Sequence, residues 1–314
     1  MRAIVTGGAG FIGSNIVDAL VERGDEVTVI DDLSTGKREN LDSALARGAR
    51  LCVIDIRNAA ELAGVIEHEK PDTIFHLAAQ IDVRRSIADP AWDASINVQG
   101  TINVLEAARV HGVERIVNSS TGGAIYGDAE AIPSDERTPP LPEAAYGQSK
   151  LAAEGYLGLY ERLYGQSSVT LRYGNVYGPR QDPLGEAGVV AIFTGLLESG
   201  GQPTVFGDGR QTRDYVYVGD VVAANLAAAQ ADVHGPINVG TGIETDVLAL
   251  IAILRELAGV EDVEPLFAPP RLGELARSCL DITLARDTLG WAPGVTIREG
   301  LRLTFEASRA APAR

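Results

Sequence analysis

Cysteine is scarce in this chain of 314 residues: there are two, Cys52 and Cys279. They sit at the ends of two unrelated apolar runs, and neither belongs to a C-x-x-C pair. Both read as buried thiols, not as reactive groups or halves of a disulfide. H-E-x-x-H is missing too, so the sequence suggests no zinc, and no metal is expected. Basic residues are short: 27 Lys and Arg face 43 Asp and Glu, a formal net charge of -16. A nucleic-acid binder carries a basic footprint, which argues against that class of partner; a small anion held by a few local arginines stays open. No apolar run approaches the ~18 residues of a membrane span. The N-terminus runs straight into a strand and glycines, so no signal peptide is expected. These absences fit a soluble chain in a reducing, cytoplasmic setting. No internal repeat is visible.

What remains is ordinary globular composition, 45% hydrophobic and 22% charged, with 35 glycines. That is enough for a large core in one big or two coupled domains. Short β-rich apolar runs at Arg2 to Thr6, Glu26 to Ile30, Arg50 to Ile54, Thr73 to Leu77, Arg115 to Asn118 and Val169 to Tyr173 read as strands. Between them, Asn15 to Glu22, Ala59 to Glu69, Ile96 to His111 and Lys150 to Tyr164 read as helices. Apolar strands alternating with helices describe a parallel sheet covered on both faces. Right-handed crossovers then make a doubly wound, Rossmann-type α/β fold the economical solution. After about Gly174 the texture changes, with clusters at Gly178-Pro179-Arg180, Gly207-Asp208-Gly209-Arg210 and Pro269-Pro270-Arg271. The expectation is a dinucleotide domain over 1–173, with 208–241 returning to it, and a smaller C-terminal α/β substrate domain over 174–314. The helix from Val216 to Gln230 is the part expected to pack back, and the tail Ala307 to Arg314 is expected to fray.

Gly7-x-x-Gly10-x-x-Gly13 follows the first strand and opens the first helix. Glycines permit the tight turn and let the backbone approach a pyrophosphate, whose charge suits a helix N-terminus. Asp31 ends the next strand, 18 residues past Gly13. Its carboxylate accepts hydrogen bonds from ribose hydroxyls and repels a 2′-phosphate, favouring NAD over NADP. Asp55-Ile56, after the third strand, reads either as flanking the adenine or, for Asp55, as a plain helix cap. Far downstream, Tyr146 and Lys150 form Y-x-x-x-K. On a helix they share one face, and a nearby cation favours a phenolate, bringing tyrosine toward useful acid/base range.

The spacing resembles the extended short-chain dehydrogenase/reductase family over essentially the whole chain. The residues carrying it are Thr6 through Gly13, Asp31-Asp32-Leu33-Ser34-Thr35-Gly36, His76-Leu77-Ala78-Ala79, Asn97-Val98-Gln99-Gly100-Thr101 and Ser119-Ser120-Thr121. They continue with Tyr146-x-x-x-Lys150, Leu171 through Pro179, and Arg213-Asp214-Tyr215-Val216. Within the family the set looks most like the UDP-glucose (UDP-galactose) 4-epimerases and their close nucleotide-sugar relatives. The resemblance implies NAD contacts at Gly7, Gly10, Phe11, Ile12, Gly13, Asp31, Asp32, Ser34, Thr35, Gly36, Asp55, Ile56, Leu77, Ala78, Ala79, Asn97, Ser119, Tyr146, Lys150 and Tyr173. It implies a catalytic trio of Thr121, Tyr146 and Lys150, with Ser120 the competing hydroxyl.

In the implied reaction Tyr146 takes the proton of the sugar 4-hydroxyl, C4 gives hydride to NAD, the 4-keto sugar turns over, and hydride returns to its opposite face. Dehydratases of the family typically add an Asp-Glu pair just after the Ser/Thr; here those positions read Gly122-Gly123-Ala124, which disfavours elimination. Asn175, Arg213 and Arg271 resemble diphosphate contacts, Glu274 the acid that takes the uridine ribose, and Val189, Val190 and Phe206 the uracil lining. Arg84 resembles a further diphosphate or sugar contact. Ser278 stands where a small residue admits N-acetylhexosamines, and Asn175 where UDP-glucuronate epimerases often carry threonine. A UDP-glucuronate epimerase, a dehydratase or reductase, and a non-catalytic NAD-binding module remain as other readings. Helices Asn97 to His111 and Lys150 to Tyr164 are expected, by the same resemblance, to form a homodimer's four-helix bundle.

Overall fold

The computed structural model describes residues 1–183, 188–270 and 275–310. Among these, the strands in chain order are β1 (Arg2–Thr6), β2 (Glu26–Asp31), β3 (Arg50–Val53), β4 (Thr73–His76), β5 (Arg115–Thr121), β6 (Ser168–Tyr173), β7 (Asn175–Tyr177), β8 (Thr204–Phe206), β9 (Thr212–Tyr217), β10 (Gly235–Val239), β11 (Glu244–Asp246) and β12 (Leu266–Ala268).

Alternation along a strand decides which layer each residue joins. Ala3 and Val5 enter one hydrophobic cluster with Ile16, Val17, Leu20, Val221 and Ala224, while Ile4 enters another with Leu62, Ile66, Val104, Leu105 and Leu157. Two covered faces follow from that split. One lies beneath helices Phe11–Arg23 and Val218–Gln230, the other beneath Ala59–Glu69, Thr101–His111 and Ala145–Tyr164. Each fully buried Leu or Ile contributes roughly 1.5–3 kcal/mol.

Seven strands pair in the order β3-β2-β1-β4-β5-β6-β10, every pair parallel. The order reverses between β1 and β4, the switch point where a doubly wound sheet opens a crevice at its C-terminal edge. Thr6 and His76 end the strands on either side of it. The remaining strands form two small sheets, β11-β9-β7 and β12-β8. A third cluster, including Tyr177, Phe193, Leu197, Tyr215, Leu250 and Leu254, underlies them. The chain therefore leaves the large sheet after β6, builds β7 to β9, and returns. The Val218–Gln230 helix packs on Phe11–Arg23, and β10 pairs with β6.

Several expected boundaries move. The first helix begins at Phe11, β5 runs on to Thr121, and the late helix starts at Ala145, so Tyr146 and Lys150 both lie within it. The helix expected from Ile96 is a π-helical stretch over Ser95–Gly100 followed by α-helix over Thr101–His111. Of the tail expected to fray, Ala307 to Ala310 belong to the Ile297–Ala310 helix, and 311–314 lie outside the described residues. Cys279 is buried, Cys52 half-buried, and both are free thiols. Among the described residues no helix is long and apolar enough to cross a membrane.

Candidate active site

The glycine turn is built against its own neighbours. Gly7 adopts φ +68, and a Cβ there would lie 2.6 Å from Ala78 N; one at Gly13 would lie 2.2 Å from Gly7 O. Gly10 N donates to Gly7 O at 3.1 Å and Ser14 N to Gly10 O at 3.0 Å, which launches the Phe11–Arg23 helix. The amides of Phe11, Ile12 and Gly13 thus stand in the first turn, where helix N–H groups lack intrahelical partners and the dipole favours an anion. Across the crevice, Leu77 N and Ala78 N each donate to Thr6 Oγ1 at 3.2 Å, with Ala79 next in chain.

Asp31 ends β2 and is buried. Its Oδ2 accepts from Ala9 N and its Oδ1 from Leu33 N, both at 2.9 Å. Burial nevertheless raises its pKa, outweighing those two bonds. Gly36 lies against this carboxylate. Asp32, Ser34 and Thr35 are on the exposed loop beyond, where Asp32 Oδ1 accepts from Ser34 Oγ at 2.6 Å. Asp55 is held by Arg57, whose guanidinium lowers its pKa, and Ile56 is buried against Gly100. The helix-cap alternative for Asp55 fails, because Asn58 caps the Ala59–Glu69 helix through Glu61 N.

At the far end of the crevice the Tyr146 hydroxyl is hydrogen-bonded to Thr121. Lys150 is 8% exposed, and its Nζ donates to Ser119 O at 2.9 Å. Of the two competing hydroxyls, Thr121 meets the tyrosine, whereas Ser120 Oγ is buried with no partner among the described residues. Ser119 Oγ lies on the opposite face from Ser120, 3.0 Å from Tyr173 OH, which also bonds Asn225. Burial and then the Asp93 charge push Tyr146 up to about 12, the Thr121 bond acting the other way. This departs from the expectation that Lys150 draws the phenol down: burial and the Asp93 charge raise it, and the one protein group that lowers it is Thr121. Lys150 is itself lowered to about 8 by burial, against the raising charges of Glu154 and Asp93. His76, between Thr6 Oγ1 at 2.8 Å and Thr101 Oγ1 at 3.0 Å, is held down to about 3 by burial and by Lys150.

Asn97 sits in a buried polar clamp. Its Nδ2 lies 2.9 Å from Gln80 O, 3.2 Å from Asp93 Oδ1 and 3.0 Å from Ser149 Oγ, and its Oδ1 accepts from Gln80 N at 2.8 Å. Behind the late helix Glu154 pairs with Arg172, which also donates to Tyr126 OH at 2.8 Å; Tyr126 in turn donates to Asn238. Sequence reasoning missed Asp93, Gln80, Ser149 and this second network. The bonds that join them into networks, Gln80 to Asp93, Asn97 to Ser149, Arg172 to Glu154 and to Tyr126, and Tyr126 to Asn238, link residues 13 or more positions apart, which no local pattern reports.

On the sugar side, Gly123 lies between Asn175 and Thr121: a Cβ there would be 3.3 Å from Asn175 Oδ1 and 3.9 Å from Thr121 Oγ1. Asn175 pairs in register with Tyr215. Arg213 stands on β9, and Ser278 N donates to Thr212 O at 3.2 Å, bringing Ser278 beside that strand. Asp214, buried, ties β9 to Thr241 and Leu280. Phe206 ends β8, and its carbonyl accepts from Gln211. Val189 and Val190 open the Val189–Glu198 helix, but Val190 is sealed in the third cluster. Arg84 is exposed on the Val83–Ala88 helix, whose Ser86 Oγ accepts from Tyr146 N at 3.0 Å. Arg271 and Glu274 lie outside the described residues. Among the described residues no group of three or more His, Cys, Asp or Glu could hold a metal.

A glycine turn at the switch point of a doubly wound parallel sheet, with Thr121, Tyr146 and Lys150 two strands along, defines an extended short-chain dehydrogenase/reductase. Comparison with known proteins narrows this. Residues 3–240 match the NAD dependent epimerase/dehydratase family. The chain is 48% identical to the UDP-glucose 4-epimerase of Mycolicibacterium smegmatis over 314 residues, 98% of this chain and 99% of that one. It also resembles the crystal structure of UDP-glucose 4-epimerase with UDP-glucose from Thermotoga maritima, with 46% identity, a TM-score of 0.95 and 99% of each chain covered. The UDP-glucose 4-epimerase of Thermus thermophilus, in complex with NAD, gives 44% identity and a TM-score of 0.92, covering 99% of this chain and 100% of that one. The chain belongs to the NAD dependent epimerase/dehydratase family.

Proposed function

We propose that this chain is an NAD-dependent 4-epimerase of UDP-hexoses, UDP-glucose and UDP-galactose among them. The observation that carries it is the Thr121–Tyr146 hydrogen bond at the end of β5, with Gly122 and Gly123 following where an eliminating enzyme needs an acid. The first-turn amides, the Asp31 carboxylate and the close-packed glycine turn suit a dinucleotide, and Asp31 suits an unphosphorylated ribose. NAD, when bound, supplies a reversible hydride acceptor at the sugar C4 and, while oxidised, a positive charge that favours phenolate.

The protein's own part is proton handling and orientation. Tyr146 takes the 4-hydroxyl proton and later gives it back, while Thr121 hydrogen-bonds the same oxygen. Lys150, fixed on Ser119 O, would bond the nicotinamide ribose. Gly7, Gly10, Phe11, Ile12, Gly13, Asp31, Asp32, Ser34, Thr35, Gly36, Asp55, Ile56, Leu77, Ala78 and Ala79 would hold the dinucleotide, together with Asn97, Ser119 and Tyr173. Asn175, Arg213, Arg271 and Arg84 take the diphosphate or sugar, Glu274 the uridine ribose, and Val189 and Phe206 the uracil side, Val190 being withdrawn to the core beneath them. Ser278 leaves room for an N-acetyl group. The division of labour is 1–173 with its return over 208–241 for NAD, and 174–314 for the nucleotide sugar. A homodimer is part of the reading: Val110, Leu163 and Tyr164, 61%, 60% and 52% exposed, sit on the two helices that would pair. A cytoplasmic setting goes with the two free thiols.

Purified protein incubated with UDP-glucose, UDP-galactose and their N-acetylated forms, without added NAD, is expected to yield only the C4 epimers. Tyr146→Phe should lower kcat about 100-fold or more while the protein still holds NAD. A 4-keto-6-deoxy product would make it a dehydratase, dependence on added NAD(P)H a reductase, and bound NAD with no product a binding module.

A further inference from the structure

Asp93 is a fully buried carboxylate, 0% exposed, with one oxygen left over. Oδ1 accepts from Gln80 Nε2 at 2.8 Å and lies 3.2 Å from Asn97 Nδ2. Oδ2 has no hydrogen-bond partner among the described residues. Such a group is costly to bury, and an apolar side chain at this position would remove the cost. Its surroundings are not neutral structure, however. The Pro90–Ala94 helix that carries it packs on the Ala145–Tyr164 helix. Asn97 Nδ2 also reaches Ser149 Oγ at 3.0 Å, and Ser149 donates to Tyr146 O at 3.0 Å. The clamp therefore ends on the backbone of the residue placed at the reacting proton.

We propose that Asp93 is a positioning residue of the reaction site, its charge and its Asn97–Ser149 clamp together keeping the proton on Lys150 and governing when Tyr146 gives up its own. The proposal rests on the epimerase reading. An anion in a dry site favours the protonated form of every neighbour. In agreement, Asp93 acts in the raising direction on both Tyr146 and Lys150. The other charges nearby are accounted for. On the late helix Glu154 is held by Arg172. From β4, His76 is kept down to about 3 by burial and by Lys150. On the Val83–Ala88 helix Arg84 and Arg85 are exposed, Arg85 stacked 3.7 Å over the Trp92 ring, and Asp82 caps that helix through Arg85 N.

Asp93→Asn keeps the shape and removes the charge. Tyr146 and Lys150 together set the two limbs of the rate–pH profile. Both limbs are expected to move toward lower pH, by about half a unit or more each. Ser149→Ala cuts the clamp and leaves the charge, so it should lower kcat with the limbs in place. A lower profile with unmoved limbs in Asp93→Asn would mean that the carboxylate is merely structural, and overturns the proposal. The phenolate titration, read as an ultraviolet difference against Tyr146→Phe, should fall in parallel. It needs no turnover, so it separates failure here from failure of the epimerase reading. Asp93→Ser, which leaves space for water, carries the same expectation; if neither variant accumulates folded by circular dichroism, the residue serves folding and the proposal is wrong.

Discussion

At Gly13 an added methyl would sit 2.2 Å from Gly7 O and 2.8 Å from Gly8 Cα, contacts that only a spread turn relieves. Gly13→Ala is expected to lose about 1–3 kcal/mol and most of its bound NAD, measured by thermal unfolding and by cofactor released on denaturation. The glycine spacing was legible because it reports this local constraint directly. So was the shared face of Tyr146 and Lys150, since helical period is a property of neighbours in the chain. What stayed hidden was the sign of the tyrosine shift. That sign depends on burial and on Asp93, 53 positions away, and a spacing pattern contains neither. Asp55 failed as a cap for a related reason: Asn58 sits at the position whose side chain reaches Glu61 N, while Arg57 occupies the Asp55 carboxylate.

Between elements, the Ala145–Tyr164 helix is fastened to β6 by a buried ion pair, Glu154 with Arg172, whose side chains are 8% and 4% exposed. Removing one partner strands the other charge in the interior, at a cost of about 3–5 kcal/mol. Glu154→Leu should therefore be strongly destabilised in urea titration, and Glu154→Leu with Arg172→Met should recover most of the loss. A single mutant no weaker than wild type would show that the pair is solvated. Strongly apolar strands such as β1, β4 and β6 were legible as elements. The π-helical stretch Ser95–Gly100 was not, because a one-residue slip of backbone bonding leaves the same apolar spacing. The apolar run of β5 marks the strand only to Asn118; Ser119–Thr121 add no apolar signal, and it is pairing in register with β6 that carries the strand through them.

For the molecule as a whole, His76 sets a limit on acid stability. Its folded pKa of about 3 lies far below the ordinary 6.5, so between those values the unfolded chain binds a proton that the native ring refuses. Stability is then lost as pH falls from 6.5 toward 3. Between pH 7.5 and 5 the loss is on the order of 2 kcal/mol, and His76→Gln should flatten that slope in paired urea titrations at the two pH values. The large sheet has another whole-chain property in β10, which joins it long after β6. During synthesis from the N-terminus, the rim of β6 must wait, its peptide groups unclaimed, until the ribosome has delivered everything through Val239. An unclaimed rim is a template for a stranger's strand, so the detour through the smaller sheets lengthens the nascent chain's exposure to association with its own siblings.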